Sequence, residues 1–221
     1  MKKLLGIFLL GFLAASIWGC AAARTYQVQV NGYTEAAAPL LAPGASFLVI
    51  EDQKAQNPLL EKEVKAKIDK LLEKHNFFLK PYDQAQYFML FTYGMGAPQA
   101  VSVTGPTWGI GVGFGTGWGG PGVGYGVSWP GYGPYYAETR PLYDRWLRLT
   151  VVEAQPYRDT GASRPVWVGE ARSTGSSSDL REVLNYLLVA AFEHFGKNTG
   201  KALPAAIKQN DPRLLNLEKV H

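Results

Sequence analysis

The sequence predicts an α+β domain in which two amphipathic helices cover one face of a mixed, mostly antiparallel sheet of four to five strands. The order of strand and helix patterns is β-β-α-β, then a glycine-rich insert, then β-β-α. Both helical segments have an apolar stripe along one side, which must be buried against another layer. The strand segments are short apolar or alternating runs that turn residues separate from one another.

The first half of the domain is predicted to contain three strands and one helix. Residues Thr25 to Val30 alternate between apolar and polar side chains, which predicts a half-buried strand. Ser46 to Glu51 is apolar on both faces, which predicts a central strand. Asn57 and Pro58 predict the start of a helix, because Asn can cap the first turn and Pro fits the first helical position. The aromatic run from Tyr87 to Tyr93 is the third predicted strand.

Two further strands follow the insert. Asp144 to Ala154 and Pro165 to Thr174 are predicted to pair with each other around a polar turn. Trp167 is interpreted as a core residue that fills the space under the second helix. Glu170 and Arg172 share one face of their strand, so we expect them to form a surface ion pair.

A second helix and a tail end the chain. Asp179 and Glu182 have the spacing of a capping box, and an almost unbroken apolar stripe runs from Leu180 to Phe195. Residues from Lys197 onward contain two prolines and are expected to be loosely ordered. A short helix near Ala205 to Gln209 is the only element predicted there.

The N-terminus has the features of an export signal. Lys2 and Lys3 precede an apolar run of twelve residues, Leu4 to Ala15, which has the length of a signal-peptide core. The run is too short to cross a hydrocarbon layer of ~30 Å as a helix. Residues 17–20, Ile-Trp-Gly-Cys, then resemble the bacterial lipobox, although position 18 usually holds a small residue. We therefore expect Cys20 to be the acylated N-terminus of the mature chain.

A second processing site remains open. Ala21 to Ala23 offers an A-x-A cleavage site ahead of Arg24. Cleavage there would release a soluble periplasmic protein instead of an anchored one. The lipobox explains why the single cysteine of an exported chain stands at the end of a signal core.

Composition excludes several classes of function. The formal charge is +4 and falls to about +2 when Lys2 and Lys3 leave with the signal, so no nucleic-acid partner is expected. A single cysteine excludes disulfides within the chain and cysteine-based zinc clusters. The three histidines, His75, His194 and His221, lack ligand spacing and are interpreted as structural. We expect no metal and no cofactor.

No catalytic constellation stands out in the sequence. The carboxylates of the predicted strands and strand ends are scattered, and no nucleophile has a base at a recognisable spacing. They are Glu51, Asp52, Asp144, Glu153 and Glu170. We therefore expect that the protein is not an enzyme. A pocket that gathers two or more of these carboxylates would favour an enzyme.

The insert, Gly94 to Glu138, has glycine at every second position from Gly109 to Gly119. A turn at Gly119 and Gly120 would place Phe114 opposite Tyr125 and would gather the larger side chains on one face of a ribbon. A disordered low-complexity loop is the alternative, because glycine weakens strands. The candidate interaction residues of the ribbon are Ile110, Val112, Phe114, Trp118, Tyr125 and Trp129.

Several motifs occur together in an order that resembles a known family. They are the lipobox at Cys20, the strand SFLVIE, the helix after Asn57-Pro58, the aromatic strand after Asp83-Gln84-Ala85, the strand Val166-Trp167-Val168-Gly169, and the apolar helix that ends at Phe195-Gly196. The chain resembles the bacterial envelope lipoproteins of the domain of unknown function 4136 family over roughly Arg24 to Lys197. The resemblance implies a fold and an envelope location, and it supplies no catalytic residues. Ala21, in place of an aspartate after the cysteine, implies the outer membrane.

These observations divide the chain into a signal peptide (1–19), an anchor and linker with one strand (20–44), an α/β lipoprotein domain (45–198, with its insert at 94–138) and a tail (199–221). The expected function is a non-catalytic binding or scaffolding module on the periplasmic side of the outer membrane. The expected partners are membrane lipid, through acylated Cys20, and an envelope protein or a second copy, through the insert. The alternative is a soluble periplasmic enzyme or carrier that acts on a small molecule or a glycan.

Overall fold

The computed structural model describes residues 24–35, 41–105 and 136–220, which form an α+β fold with one layer of strands and four helices. The strands are β1 (Thr25–Thr34), β2 (Ser46–Ile50), β3 (Phe78–Leu79), β4 (Tyr87–Met95), β5 (Gln99–Gly105), β6 (Tyr136–Glu153), β7 (Pro165–Gly175) and β8 (Leu203–Lys208). The helices are α1 (Pro58–Lys74), α2 (Ala154–Thr160), α3 (Leu180–Glu193) and α4 (Pro212–Glu218).

The sheet has eight strands in the described residues, so the prediction of four to five strands is wrong. Two of the additional strands were not predicted, and the third, β3, was expected only as a short extended piece at residues 77–79. β3 has only two residues, β5 lies inside the glycine-rich insert, and β8 occupies the tail where a short helix was expected. Pro204 lies within β8, which is tolerated because β8 is an edge strand and an edge strand can do without one N–H.

The strand order is β3-β2-β4-β6-β7-β1-β8, and β5 pairs with β6 beside this path. β2 runs parallel to β3 and β4, so α1 is the crossover helix of a β-α-β unit, and all other pairs are antiparallel. The predicted pairing of the two strands after the insert is confirmed. Leu149 of β6 lies opposite Gly169 of β7, with one irregularity between Val151 and Val152.

β5 continues the direction of β4 after a bulge. Met95 lies opposite Arg145, and Gln99 lies opposite Leu142. Residues 96–98 on one side therefore face only residues 143–144 on the other, which is one extra residue. Gly96 donates a backbone hydrogen bond of 2.8 Å to Asp144 within the bulge. A bulge increases twist and bends the strand locally. β5 and the first part of β6 therefore leave the main sheet as a two-stranded ribbon.

α1 and α3 lie on one face of the sheet, as predicted, and the main core lies between these helices and the strands. Trp167 is almost fully buried, its indole N–H donates to the carbonyl of Lys197 (3.1 Å), and its ring meets Phe195 edge to face at 4.8 Å. The interpretation of Trp167 as a core residue is confirmed.

The helix caps follow the sequence signals with one exception. The Asn57 side chain accepts a hydrogen bond from the backbone of Leu60, and Asp179 accepts one from the backbone of Glu182. In a full capping box the Glu182 carboxylate would also accept a hydrogen bond from the backbone N–H of Asp179. The described contacts of Glu182 do not include this bond, and its carboxylate accepts a hydrogen bond from Tyr26 instead. The first helix residues of α3 are thus tied to β1.

α2 replaces most of the predicted polar turn and covers part of the other sheet face. Tyr157 of α2 meets Phe88 edge to face at 5.5 Å, and Arg158 donates to the carbonyls of Tyr82 and Ala85. These contacts close a second, smaller apolar cluster on this face. A helix of seven residues is too short to leave a clear periodic signal in the sequence.

Candidate functional site

The residues that the sequence singled out for function lie outside the described residues. They are the lipidation candidate Cys20 and the ribbon candidates Ile110, Val112, Phe114, Trp118, Tyr125 and Trp129. The structure does describe the residues that flank both segments. It therefore places the attachment points of the two segments relative to each other.

The two attachment points share one end of the sheet. Gln29 of β1 lies opposite Arg172 of β7, and Arg172 lies opposite Trp146 of β6. Because β7 is antiparallel to both β1 and β6, those two strands run in the same direction and start toward the same end of the sheet. We call β5 together with residues 136–142 of β6 the arm, and we call the end of the sheet from which it leaves the arm end. β1 begins at the arm end with Thr25.

Both long helices also begin at the arm end. β2 is parallel to β4, so α1 starts where β2 and β4 end, and α3 starts after the last residue of β7. Three large apolar side chains are exposed at this end: Leu59 on the first turn of α1 (79% exposed), Met95 (37%) and Val101 (38%). The opposite end of the sheet, which we call the far end, carries exposed Phe78 (61%) on β3, with Tyr33 (51%) and Tyr82 (49%) also exposed toward this end.

A buried guanidinium lies at the base of the arm. Arg145 is 1% exposed and donates to the carbonyl of Ser177 (2.9 Å) and the hydroxyl of Ser173 (3.2 Å). Its Nε has no hydrogen-bond partner within the described part of the chain. Burial lowers the pKa of Arg145, and the neighbouring Tyr26 and acidic side chains act in the opposite direction. Arg145 lies two residues before the buried Leu147 and so faces the same side of β6. A charged residue among these apolar positions was the signal in the sequence.

Two tyrosines and a carboxylate join β1 to α3 at the same end. The Tyr26 hydroxyl donates to Glu182 (3.1 Å), and its ring stacks on Tyr186 with centroids 3.8 Å apart. Burial raises the pKa of Tyr26, and Glu182 raises it further. Burial, followed by Tyr26 and Glu182, raises the pKa of Tyr186 to about 12. Both phenols are therefore protonated at neutral pH, and the Tyr26 hydroxyl serves as a hydrogen-bond donor to Glu182.

A third polar contact holds the start of α1. Glu61 is buried and accepts a hydrogen bond from the backbone of Asp52 (2.9 Å). Burial raises the pKa of Tyr93, and a hydrogen bond to Glu61 raises it further. Lys65, one turn after Glu61, pairs with Asp69 instead of with Glu61. The contacts of Glu61 therefore tie the first turn of α1 to the residues that follow β2 and to β4.

Three of the scattered carboxylates lie apart from one another in the structure. Asp144 and Glu153 lie near opposite ends of the sheet on β6, and Glu170 pairs with Arg148 across the strands (2.9 Å). The expected pair of Glu170 with Arg172 is therefore wrong, because the cross-strand neighbour holds the carboxylate. Among residues 24–35, 41–105 and 136–220, no group of three or more His, Cys, Asp and Glu side chains is arranged to hold a metal ion. The described helices include none that is long and apolar enough to cross a bilayer.

Two shallow depressions lie on the described surface. One, of about 410 Å³, lies at the far end beside α2 and contains a single one of the scattered carboxylates, Glu153, together with Gln84, Gln86 and Tyr87. The other, of about 340 Å³, lies between the ends of α1 and α3. Its lining residues are Leu71, Lys74, His75, Val189, Phe192, Glu193, Phe195, Lys197 and Arg213.

Two of the histidines end helices, as interpreted from the sequence. His75 is the C-terminal cap of α1 and its Nδ1 lies 2.8 Å from the carbonyl of Leu71, and His194 is the C-terminal cap of α3. A histidine at this place can satisfy carbonyls that a helix end leaves without a partner. His221 lies outside the described residues.

The chain belongs to the family described as Domain of unknown function (DUF4136), whose model matches residues 20–195. No curated protein matches the sequence significantly. The family resemblance expected from the motif order is therefore confirmed, while the family description assigns no activity.

Two solved structures resemble the fold. A PDZ domain protein from Parabacteroides distasonis ATCC 8503 is 10% identical, with a TM-score of 0.48 over 86% of this chain and 41% of that chain. This chain thus spans about two fifths of the length of that protein. The PelC dodecamer from Paraburkholderia phytofirmans is 14% identical, with a TM-score of 0.38 over 74% of this chain and 94% of that chain. Neither likeness carries an argument about function.

Proposed function

We propose that this chain is a non-catalytic lipoprotein, anchored in the outer membrane through acylated Cys20, that binds or scaffolds other components of the envelope. The observation that supports this proposal best is the arm end. β1 begins at Thr25, five residues after Cys20, and the arm that leads to the insert leaves the sheet at the same end. The anchor and the interaction segment would therefore act on the same side of the domain.

Acylation would fix the protein to the membrane without a spanning helix. Burial of each CH₂ contributes ~0.8 kcal/mol, so several acyl chains make dissociation negligible. The proposed partner is an envelope protein or a second copy that docks on the apolar side chains of the insert. Gly105 lies opposite Tyr136 at the tip of the arm, so the part of the insert between them, residues 106–135, begins and ends at neighbouring positions. Large aromatic side chains are enriched at the centres of protein interfaces.

The second candidate function is a soluble periplasmic enzyme or carrier for a small molecule or a glycan. The depression beside α2 favours a carrier over an enzyme, because it offers amides and one carboxylate, Glu153, to a polar ligand. Binding of a small sugar that Glu153→Gln weakens at least tenfold would support this alternative. Calorimetry with a panel of envelope sugars would measure it.

The test of the anchor is the intact mass of the mature protein in membrane and soluble fractions, with Cys20→Ala alongside. We expect a membrane-bound species that starts at Cys20 and carries acyl mass, and that the variant lacks. A soluble species that starts at Arg24 and is unaffected by the substitution would overturn the anchored function and favour the carrier.

The test of the interaction segment is a variant in which Asn-Gly replaces residues 106–135. Because Gly105 and Tyr136 are paired, a two-residue turn can close the arm without disturbing the domain. We expect the variant to keep its unfolding midpoint and its membrane location and to lose its cross-linked complexes in intact cells. A control with Leu215→Ser, at an exposed site on α4, should keep those complexes. Unchanged complexes in the deletion variant would refute the role of the insert.

A further inference from the structure

We infer that the arm end of the domain lies against the membrane surface, so that the arm and the first turn of α1 contact lipid while the far end faces the periplasm. This inference rests on the proposed anchor at Cys20. It concerns a contact between the folded domain and the bilayer, which a lipid anchor on a long tether would not require.

The tether is too short to hold the domain away from the membrane. Five peptide steps separate Cys20 from Thr25, the first residue of β1. At full extension these steps span at most ~18 Å. The start of β1 therefore stays within about that distance of the bilayer.

The arm is at least as long as the tether. In the register of the sheet, Thr25 lies level with Leu142, where the arm begins, and the arm runs on to Tyr136. Six strand residues at ~3.3 Å each give a reach of ~20 Å beyond this level. A tilt of about 20° at the bulge still leaves a reach of ~19 Å, which is more than the length of the tether. A membrane held by the tether therefore meets the arm.

The chemistry of the arm end suits a lipid interface. Leu59, Met95 and Val101 expose apolar side chains there, and Arg24 and Lys208 add exposed cations. Interfacial segments combine apolar groups, which enter the headgroup boundary, with cations that anionic lipids attract. Two acidic side chains at this end accept backbone hydrogen bonds. Asp52 accepts one from the N–H of Lys54, and Asp179 accepts one from the N–H of Glu182.

The far end supplies a matched control. Phe78 on β3 is more exposed than Val101 and is also apolar, and it pairs with Ser46 at the start of β2, opposite to the end where α1 begins. If exposure alone drove contact with lipid, a probe at Phe78 would contact lipid at least as well as a probe at Val101. The position of a probe along the sheet can thus be separated from its exposure.

The experiment uses the acylated protein in vesicles of phosphatidylethanolamine and phosphatidylglycerol. Leu59→Cys, Val101→Cys and Phe78→Cys are each labelled with an environment-sensitive fluorophore. The introduced thiol is the only free one, because Cys20 is acylated and the chain has no other cysteine. Lipids with brominated acyl chains then quench those probes that reach the bilayer. Circular dichroism and the unfolding midpoint of each variant establish that it is folded.

We expect brominated lipid to quench the probes at Leu59 and Val101 at least about twofold more than the probe at Phe78, since interfacial side chains enter only ~5–10 Å. Equal quenching at all three sites, or strongest quenching at Phe78, in protein that sediments with the vesicles would overturn the inference and leave the anchored function intact. A protein whose intact mass shows no acyl chains would overturn the anchored function itself, and the inference with it.

Discussion

Gly169→Ala tests how closely Trp167 controls the packing of the sheet against α3. A Cβ at position 169 would lie 2.2 Å from Cη2 of the Trp167 ring and within 3 Å of two more ring atoms. The indole cannot swing away cheaply, because its N–H binds the carbonyl of Lys197 and its ring packs on Phe195. Overpacking of this kind costs ~1–3 kcal/mol. Ala in place of Gly in a strand offsets about 0.5–1 kcal/mol. We expect a net loss of up to about 2.5 kcal/mol in the free energy of unfolding.

The cause can be isolated in a double-mutant cycle with Trp167→Leu, which removes the ring atoms that the new Cβ would meet. In that background Gly169→Ala should stabilise the protein by ~0.5–1 kcal/mol, so the two sites should be coupled by about 1–3 kcal/mol, the cost of overpacking. Urea unfolding of all four proteins, carried in the Cys20→Ala chain and followed by circular dichroism, measures the free energies. Gly96→Ala is the matched control, since its Cβ would lie an ordinary 3.7 Å from the carbonyl oxygen of Asp144. An equal cost of Gly169→Ala in both backgrounds would show that Trp167 is not the obstacle.

Three further predictions follow from the contacts at the arm end. Burial raises the pKa of Glu63, but hydrogen bonds from Lys67 and Arg181 outweigh it and lower the pKa overall. Glu63 therefore contributes stability that is present above its unfolded pKa of ~4.3 and is lost as the pH falls through its lower folded pKa. Glu63→Gln should flatten the pH dependence of urea unfolding in that acid range and leave its alkaline side unchanged. Asn57→Ala should remove ~1 kcal/mol from the free energy of unfolding through loss of the α1 cap, and Asn57→Asp should restore it. Tyr26→Phe should cost ~1 kcal/mol, because the stacked ring remains while the hydroxyl bond to α3 is lost, and an unchanged urea midpoint would contradict this.

The elements that the sequence predicted well are those whose signals are local. Asn57 caps α1 because an amide acceptor and the following proline are next to each other in the chain, and β6 and β7 pair around a short connection. β8 could not be predicted in this way. Its partner β1 lies at the other end of the chain, and the two inward-facing residues Ala205 and Ile207 are too few to predict a strand from alternation. Whether such a segment forms a strand depends on pairing with a distant part of the chain, and a single sequence does not show that pairing.

The candidate site shows the same division. The sequence identified Cys20 and the insert separately, because each has a distinctive composition. It could not show that the residues flanking these two segments lie at one end of the sheet, because that follows from β1 lying beside β7 in antiparallel orientation. Arg145 was missed for a different reason. Its place in the buried row of Leu147 and Leu149 was visible in the alternation, but it was assigned no face of the strand from the sequence.

The edges of the sheet bear on where a partner strand could add. β3, at one edge, has only two residues. β8, at the other, contains Pro204, which has no backbone N–H to donate, and its exposed row ends in Lys208. Short edge strands, prolines and lysines are the devices by which proteins discourage pairing between sheets. β5 has seven residues, and β6 is its only strand partner in the described part of the chain. Because both edges of the main sheet are blunted and the outer edge of the arm is not, we expect any strand addition by a second copy or an envelope partner to occur along β5, at the end of the domain where the proposed anchor lies.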